Sequence, residues 1–298
     1  MKRRAALVGC IALVLAPMAC RSSKGNGSAA PPGLATAPNR QGNTAHSSAA
    51  GPNPAASLPA PPPPPEPLRT AEPLEPLPVE GFGAAVVSVP TGATAPRPVV
   101  VALHGNYDRP EWQCAVWREI TRAHPWVLCP RGIPRSDAPK GADRWTFAGV
   151  ARFEEELNAG LTALAAAYER YVDLREPVFT GFSLGAILGV HLLKRPESRY
   201  KRAVLVEGGY AGWGVAGARA FDAHGGEKLL IGCGQTACVH AGRQLERLFA
   251  RGQVSVEVTS GGDAGHTYDG PVARAVAERW GWLVAGDPRF GAPAPESD

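Results

Sequence analysis

The placement of the aromatic residues is the feature that most limits what this chain can fold into. All eight Phe, seven Trp and six Tyr residues lie between Phe82 and Phe290, in a chain of 298 residues. A stable core needs large apolar side chains, so the part of the chain that can pack begins near residue 80. That part is roughly 210 residues long, which suits one domain with a complete α/β core.

The first residues have the pattern of an export signal. Three basic residues follow Met1, and residues 5–16 form an apolar run that is too short to span a bilayer. Cys20 follows an alanine, as the lipidated cysteine of a bacterial lipoprotein follows a small residue. Cys10 and simple cleavage without a lipid are the alternatives. We therefore expect residues 1–19 to be a signal peptide and the protein to be exported, either lipid-anchored in a bacterial cell envelope or secreted.

Residues 20–79 have the composition of a tether. This stretch holds half of the chain's 30 prolines, mixed with Ala, Ser, Gly and Asn. It cannot bury enough apolar surface to offset the entropy lost on ordering, so it is predicted to be disordered. The predicted catalytic domain then covers residues 80–286, and residues 287–298 are predicted to form a flexible tail.

The charge pattern excludes some classes of partner. The chain has a formal net charge of +4, but three of its basic residues lie in the signal segment, so the remainder is close to neutral. Neither a nucleic acid nor an acidic lipid surface is therefore expected as a partner. We expect a monomer that meets a membrane only through an N-terminal lipid anchor.

Cysteine usage also favours export. Beyond the signal segment and Cys20, four cysteines remain, and an even number in an exported protein suggests two disulfides with three possible pairings. The two sequence-local pairs, Cys114–Cys129 and Cys233–Cys238, are the expected ones. A metal site is the competing interpretation, but no Cys-x-x-Cys occurs and the four cysteines are far apart. Neither a metal nor another cofactor is therefore predicted.

Predicted strands alternate with predicted helices along the domain. Continuous apolar runs indicate strands buried on both faces, and apolar residues spaced by three and four indicate helices. The predicted strands are 84–89, 98–103, 126–129, 177–180, 202–206, 228–232 and 254–258. The predicted helices are 111–122, 153–171, 184–194, 241–251 and 272–284. This order predicts a doubly wound, mostly parallel sheet with helices on both faces. The stretch 208–226 is too short for a large lid.

The sequence Gly-Phe-Ser-Leu-Gly at residues 181–185 carries the first sign of chemistry. Ser183 follows the predicted strand 177–180 and precedes an apolar helix, so it lies on a strand-to-helix turn. Gly181 and Gly185 leave room for the tight packing that such a turn needs. The turn then presents the serine hydroxyl as a nucleophile.

Together with a His-Gly step at 104–105 and a histidine in the glycine-rich loop 261–268, this motif resembles the α/β-hydrolase superfamily over residues 82–285. Within it, the chain is similar to the compact branch of dienelactone-hydrolase-like, phospholipase/carboxylesterase-like and polyester-depolymerase-like enzymes. The resemblance implies a serine hydrolase that cleaves a small-molecule carboxylic ester through an acyl-enzyme on Ser183. It also implies the chain order of nucleophile, acid and histidine.

The resemblance also assigns the base and the oxyanion donors. His266 follows the last predicted strand and would take the proton of the serine hydroxyl, which is a poor nucleophile until a base removes that proton. The backbone N–H groups of Asn106, or of Tyr107, and of Leu184 would bind the oxyanion. His104 is expected to orient its loop rather than to take part in catalysis.

The acid departs from the family pattern. The family places an Asp just beyond the strand that corresponds to 228–232, but the turn that follows here has no carboxylate. Glu207 ends the strand 202–206, where its side chain would point into the crevice at the carboxyl ends of the strands. We therefore expect Glu207 to orient the imidazole, with Asp222 and Asp263 as alternatives.

Aromatic residues near the ends of strands are candidates for contacts with substrate. Loops after strands line the ligand pockets of such sheets, and several of these loops carry a large aromatic side chain. The candidates are Tyr107, Trp112, Trp145, Tyr210 and Trp213.

Two other functions would use the same residues. A serine peptidase or an acyltransferase would also pass through an acyl-serine on Ser183. A catalytically inactive, hydrolase-like binding domain of a surface lipoprotein is the alternative from another class, and the missing Asp is its main support.

Overall fold

The computed structural model describes residues 66–291. The predicted signal peptide, Cys10, Cys20 and the predicted tether up to residue 65 lie outside the described residues, as does the predicted tail from residue 292. Among the helices of residues 66–291, none combines the length and the apolar character that crossing a membrane requires.

Strands and helices alternate along the described chain. The strands are β1 (Leu74–Leu77), β2 (Ala85–Ser88), β3 (Arg97–Leu103), β4 (Trp126–Cys129), β5 (Ile133–Pro134), β6 (Trp145–Thr146), β7 (Val172–Phe182), β8 (Arg202–Val206), β9 (Lys228–Cys233) and β10 (Ser255–Ser260). The helices are α1 (Pro110–Ile120), α2 (Val150–Tyr168), α3 (Leu184–Leu193), α4 (Val215–Ala223), α5 (Thr236–Phe249) and α6 (Gly270–Val284). Short 3₁₀ turns lie at Glu169–Tyr171, Tyr210–Gly212 and Pro288–Phe290.

One large sheet organises the chain, with the strand order β1-β2-β4-β3-β7-β8-β9-β10. β2 runs antiparallel to both of its neighbours, and all strands from β4 to β10 in that order are parallel. β5 and β6 form a separate antiparallel ribbon. The predicted doubly wound, mostly parallel sheet is confirmed. Its parallel strands need crossover connections, and helices supply them.

The core lies on both faces of the sheet. Along β3, Val99, Val101 and Leu103 belong to one buried cluster, while Val100 and Ala102 belong to the other. The first cluster includes buried residues of α2, α3, α4 and α5, and the second includes those of α1 and α6. Successive side chains of a strand point to opposite faces, so a strand covered on both faces must be apolar throughout.

The folded region extends beyond the predicted domain boundaries at both ends. β1 lies within the predicted tether, residues 20–79, where it pairs with β2 and buries Leu77. In the predicted tail, residues 287–298, Phe290 is buried against the ring of Trp280. Both corrections have one cause. Each segment has the composition of a linker, but a few apolar side chains are enough when an existing sheet edge or helix covers them.

The sequence patterns also missed the ribbon β5–β6 and helix α4. The ribbon strands have two residues each, too few for a periodicity to be visible. α4 lies in the stretch 208–226 and buries Ala218 and Phe221, so it packs on the first core cluster. One glycine and three alanines precede Phe221 in this helix, and such small residues give only a weak apolar pattern.

Both predicted disulfides are confirmed. Cys114–Cys129 joins α1 to the end of β4, and Cys233–Cys238 closes the turn between β9 and the first turn of α5. All four cysteines are buried.

Removal of β1 tests the corrected boundary. A chain that begins at residue 80 loses the burial of Leu68, Leu77 and Val79 and exposes the edge of β2. Each buried aliphatic side chain contributes about 1.5–3 kcal/mol. We therefore expect this chain to unfold in urea with a free energy several kcal/mol below that of a chain that begins at residue 66. Equal unfolding free energies for the two chains would contradict the corrected boundary.

Candidate active site

Ser183 lies at the junction of β7 and α3. Its backbone has φ 49° and ψ −110°, a combination that a non-glycine residue adopts only when its surroundings impose it. Its N–H donates a hydrogen bond of 2.9 Å to the carbonyl of Val206 on the neighbouring strand β8. The turn therefore presents the Ser183 hydroxyl at the carboxyl edge of the parallel strands.

Three glycines make this turn possible. A Cβ on Gly181 would lie 2.7 Å from the backbone nitrogen of Ala186, and one on Gly185 would clash with the backbone at the end of β3. Sequence reasoning did not single out Gly208, yet a Cβ there would lie 2.6 Å from the carbonyl oxygen of Ser183. The segments around the serine therefore approach more closely than any side chain would permit.

His266 contacts Ser183 from the loop between β10 and α6. Its Nε2 lies 2.9 Å from the Oγ of Ser183. Its ring packs beside that of Phe182, with 5.0 Å between centroids, while 49% of the side chain remains exposed. The imidazole is therefore held within hydrogen-bond reach of the hydroxyl, and part of it stays open to an incoming molecule.

Glu207 contacts the other nitrogen of His266. Its Oε2 lies 3.2 Å from Nδ1, and the Glu207 side chain is completely buried. Of the two alternatives, Asp222 accepts a hydrogen bond from the N–H of Gln253, and Asp263 is exposed. Within residues 66–291, neither Asp hydrogen-bonds to His266. The structure thus brings the predicted nucleophile, base and acid into one chain of hydrogen bonds.

The turn after β9, where the family pattern has its Asp, has no acid of its own here and instead binds the carboxylate of Glu207. The N–H groups of Gly234 and Gln235 donate hydrogen bonds of 2.6 and 3.0 Å to Oε1 of Glu207. Both residues precede α5, so the carboxylate lies at the positive end of that helix. A buried ionised carboxylate needs such donors. The turn therefore contributes hydrogen-bond donors to an acid that reaches it from the neighbouring strand.

Glu207 also lies near the sulfurs of Cys233 and Cys238. The possible ligand atoms of these three residues lie within 4.8 Å of one another. Two thiolates and a carboxylate would suit Zn²⁺. The two sulfurs are joined in a disulfide, so they offer no thiolate, and we assign no metal to this cluster.

The predicted oxyanion donors lie on the two segments that flank the serine. Within the described residues, the backbone N–H groups of Asn106 and Leu184 have no hydrogen-bond partner. The N–H of Tyr107, the alternative donor, is already bonded to the carbonyl of Trp145 at 2.9 Å. Of the two alternatives after Gly105, the geometry therefore leaves Asn106 as the available donor.

The loop after β3 is fastened by buried polar groups that sequence reasoning missed. The carboxylate of Asp108 accepts hydrogen bonds from the N–H of Gly105, at 3.4 Å, and from the hydroxyl of Tyr268, at 3.2 Å. Burial raises the pKa of both Asp108 and Tyr268. Tyr268 follows His266 by two residues, so Asp108 ties the loop of the oxyanion donor to the loop of the histidine. No local pattern indicates a pairing across 160 residues.

His104 is buried and orients the same loop, as expected. Its Nδ1 lies 2.7 Å from the carbonyl oxygen of Gly105, and its Nε2 lies 2.9 Å from that of Arg131. The ring stacks on Phe147 with 4.5 Å between centroids. Burial lowers the pKa of His104, so the neutral imidazole is favoured.

The aromatic candidates for substrate contact differ in their surroundings. Tyr107 and Trp112 are exposed, and the guanidinium of Arg144 lies over both rings, at 5.8 and 4.6 Å from the centroids. Trp213 is buried against Phe221, so it belongs to the core. The first two remain candidates, and Trp213 does not.

Two solved structures show which fold this is. No protein-family model matches the chain, and a comparison with curated protein sequences gave no match. A lipase in its open form aligns with 73% of this chain and 99% of its own, at a TM-score of 0.54 and 14% identity. The fluorophosphonate-binding serine hydrolase F of Staphylococcus aureus aligns with 71% of this chain and 97% of its own, at a TM-score of 0.51 and 12% identity. The chain has the α/β-hydrolase fold.

The α/β-hydrolase fold gives the site its layout. Ser183, the predicted nucleophile, lies on the strand-to-helix turn between β7 and α3. Here the carboxylate that contacts His266 follows β8. The turn after β9 contributes backbone N–H donors to that carboxylate and has no carboxylate itself.

The strained backbone at Ser183 predicts an unusual effect on stability. Glycine adopts a φ of 49° at little steric cost, whereas alanine retains a Cβ. We expect Ser183→Gly to be about 1 kcal/mol more stable than Ser183→Ala in urea unfolding. At Ala166, an exposed residue of α2, glycine should instead be about 1 kcal/mol less stable than alanine. A Ser183→Gly variant that is less stable than Ser183→Ala would contradict the observed backbone geometry.

Proposed function

We propose that this protein is a serine hydrolase that cleaves small-molecule carboxylic esters through an acyl-enzyme on Ser183. The observation that carries the proposal is the continuous chain of hydrogen bonds from Ser183 through His266 to Glu207. The alignment of the fold with a lipase and with a fluorophosphonate-binding serine hydrolase supports it.

The first half of the reaction follows from the distances around His266. Nε2 accepts the proton of the Ser183 hydroxyl as Oγ attacks the carbonyl carbon of the ester. Nδ1–H donates to Glu207, which keeps the imidazole in the tautomer with a free Nε2 lone pair and stabilises the imidazolium that forms. The carbonyl oxygen becomes an oxyanion, and the N–H groups of Asn106 and Leu184 bind it.

The second half returns the serine to its starting state. The tetrahedral intermediate collapses, and His266 gives its proton to the alcohol that leaves. Water then enters, loses a proton to Nε2 and attacks the acyl carbon of the ester on Ser183. The second tetrahedral intermediate then collapses, His266 returns its proton to Oγ of Ser183, and the carboxylic acid is released.

The exposure of the site supports small, freely accessible esters as substrates. About half of the His266 side chain is open to solvent, and cavities of about 380 and 300 Å³ are lined by residues outside the hydrogen-bonded chain. We therefore propose that the substrate approaches Ser183 from the solvent-exposed side of His266.

We also propose that the enzyme works outside the cytoplasm as a monomer. Two buried disulfides support an oxidising compartment, since such bonds persist mainly in exported proteins. The signal-like residues 1–19 and the candidate lipidation site Cys20 support attachment to a bacterial cell envelope or secretion.

A fluorophosphonate probe tests the proposed nucleophile. The probe phosphonylates an activated serine, so wild type should be labelled at Ser183 and Ser183→Ala should not. Short-chain p-nitrophenyl esters should be hydrolysed by wild type alone. An unlabelled and inactive wild type would refute the proposal and favour the inactive binding domain. Faster cleavage of a peptide amide, or transfer of the acyl group to an added alcohol, would favour the peptidase or the acyltransferase.

Neutral amide variants test the proposed acid. In Glu207→Gln the amide oxygen stays with the N–H donors of Gly234 and Gln235, so the NH₂ group faces Nδ1 of His266. This donor favours the wrong tautomer of the imidazole, so kcat should fall on the order of 10⁴-fold. The variants Asp222→Asn and Asp263→Asn serve as matched controls, because neither side chain contacts His266 within the described residues. Their kcat values should stay close to that of wild type. Full activity in Glu207→Gln would remove Glu207 from the mechanism.

A further inference from the structure

The disulfide Cys233–Cys238 closes a turn that touches both partners of the catalytic imidazole. We call residues 233–238 the disulfide turn and residues 261–269 the histidine loop. On one side, the disulfide turn donates two backbone N–H hydrogen bonds to Glu207, from Gly234 and Gln235. Glu207 in turn contacts His266.

On its other side, the disulfide turn accepts hydrogen bonds from the histidine loop. The carbonyl oxygen of Cys233 accepts from the N–H of Gly261, and that of Gly234 accepts from the N–H of Gly265, both at 2.8 Å. A Cβ on Gly234 would clash with the carbonyl of Gly265, so turn and loop lie in direct contact. A displacement of the turn would therefore move the acid and the histidine together.

The helical end of the turn has no side-chain cap. It leads into α5, whose N-cap residue Gln235 makes no side-chain capping hydrogen bond. The first N–H groups of a helix need partners, and a first turn without a side-chain cap frays readily. Cys238 is the third residue of α5 and Cys233 is the last of β9, so the disulfide fastens the first helical turn to the sheet.

We infer that Cys233 and Cys238 are positioning residues for the catalytic imidazole, an inference that rests on the proposed function. Their disulfide holds the N–H groups of the turn against Glu207 and the carbonyls of the turn against the histidine loop. Both cysteines are completely buried, so the bond is shielded from thiols in the folded protein and acts as a permanent brace. Loss of this disulfide should lower kcat strongly, and it should lower the Tm less than loss of Cys114–Cys129 does.

The other disulfide provides a matched control. Cys114 and Cys129 are also completely buried, but the residues they join belong to α1 and β4, and neither hydrogen-bonds to Glu207 or to the histidine loop. The cysteines of the control pair are separated by 15 positions in the sequence and those of the test pair by five. A longer loop restrains the unfolded chain more, so the control pair should contribute more to stability.

The experiment compares the double variants Cys233→Ala/Cys238→Ala and Cys114→Ala/Cys129→Ala. The first should lose about 10²-fold in kcat with little change in KM, because the reacting groups are displaced while the substrate cleft is retained. The second should keep its kcat but show the larger drop in Tm. Equal losses of kcat in both variants, or a normal kcat in the first, would overturn the positioning role.

A double-mutant cycle with Glu207 tests the route of the effect. If the disulfide acts by holding Glu207, its loss should matter little once Glu207 is replaced. Cys233→Ala/Cys238→Ala should then change kcat by less than about twofold in a Glu207→Gln background, because the kcat losses of residues that act as a unit are not additive. Additive losses would overturn this route. An inactive, unlabelled wild type would instead refute the proposed function itself, so the two failures are distinguishable.

A second variant covers the case in which the alanine pair does not fold. Cys233→Ala/Cys238→Val restores apolar volume at the buried position without restoring the bond. It should show the same loss of kcat, and a wild-type kcat in this variant would overturn the inference.

Discussion

The buried carboxylate of Glu207 is the group around which the ends of three strands are arranged. A carboxylate without solvent costs several kcal/mol unless hydrogen bonds or a positive charge compensate for it. Glu207 accepts hydrogen bonds from two N–H groups of the turn after β9. Its carboxylate also contacts Nδ1 of His266, which lies on the loop after β10. The same hydrogen bonds that make its burial tolerable therefore also fix the direction of the imidazole.

The position of the acid divides the site into a shielded half and an open half. Glu207 has no exposed side-chain surface, whereas about half of the His266 side chain is exposed. A shielded acid interacts strongly with the imidazole because little water screens the pair. Under the proposed function, the exposed part of His266, next to Ser183, is where the substrate enters. Asp108 then fastens the loop of Asn106 to the loop of His266 through Tyr268, so the open half is also held in place.

The features that could be predicted from sequence are those with local patterns. Apolar runs gave the central strands, the residues around Ser183 gave the strand-to-helix turn, and short separations gave both disulfide pairs. β1 was missed because its segment has the composition of a linker and becomes a strand only by pairing with β2. The contributions of Gly208 and Asp108 were missed because each depends on a contact between segments far apart in the chain.

The tautomer of His266 shows directly whether Glu207 orients the imidazole. In the protein labelled with ¹⁵N-histidine, NMR distinguishes a proton on Nδ1 from one on Nε2, and a His266→Gln variant identifies the signals of this residue among the seven histidines. We expect a proton on Nδ1 of His266 in wild type at neutral pH, and a shift of the proton toward Nε2 in Glu207→Gln. The same tautomer in both proteins, or a proton on Nε2 in wild type, would contradict the claim that Glu207 orients the catalytic imidazole.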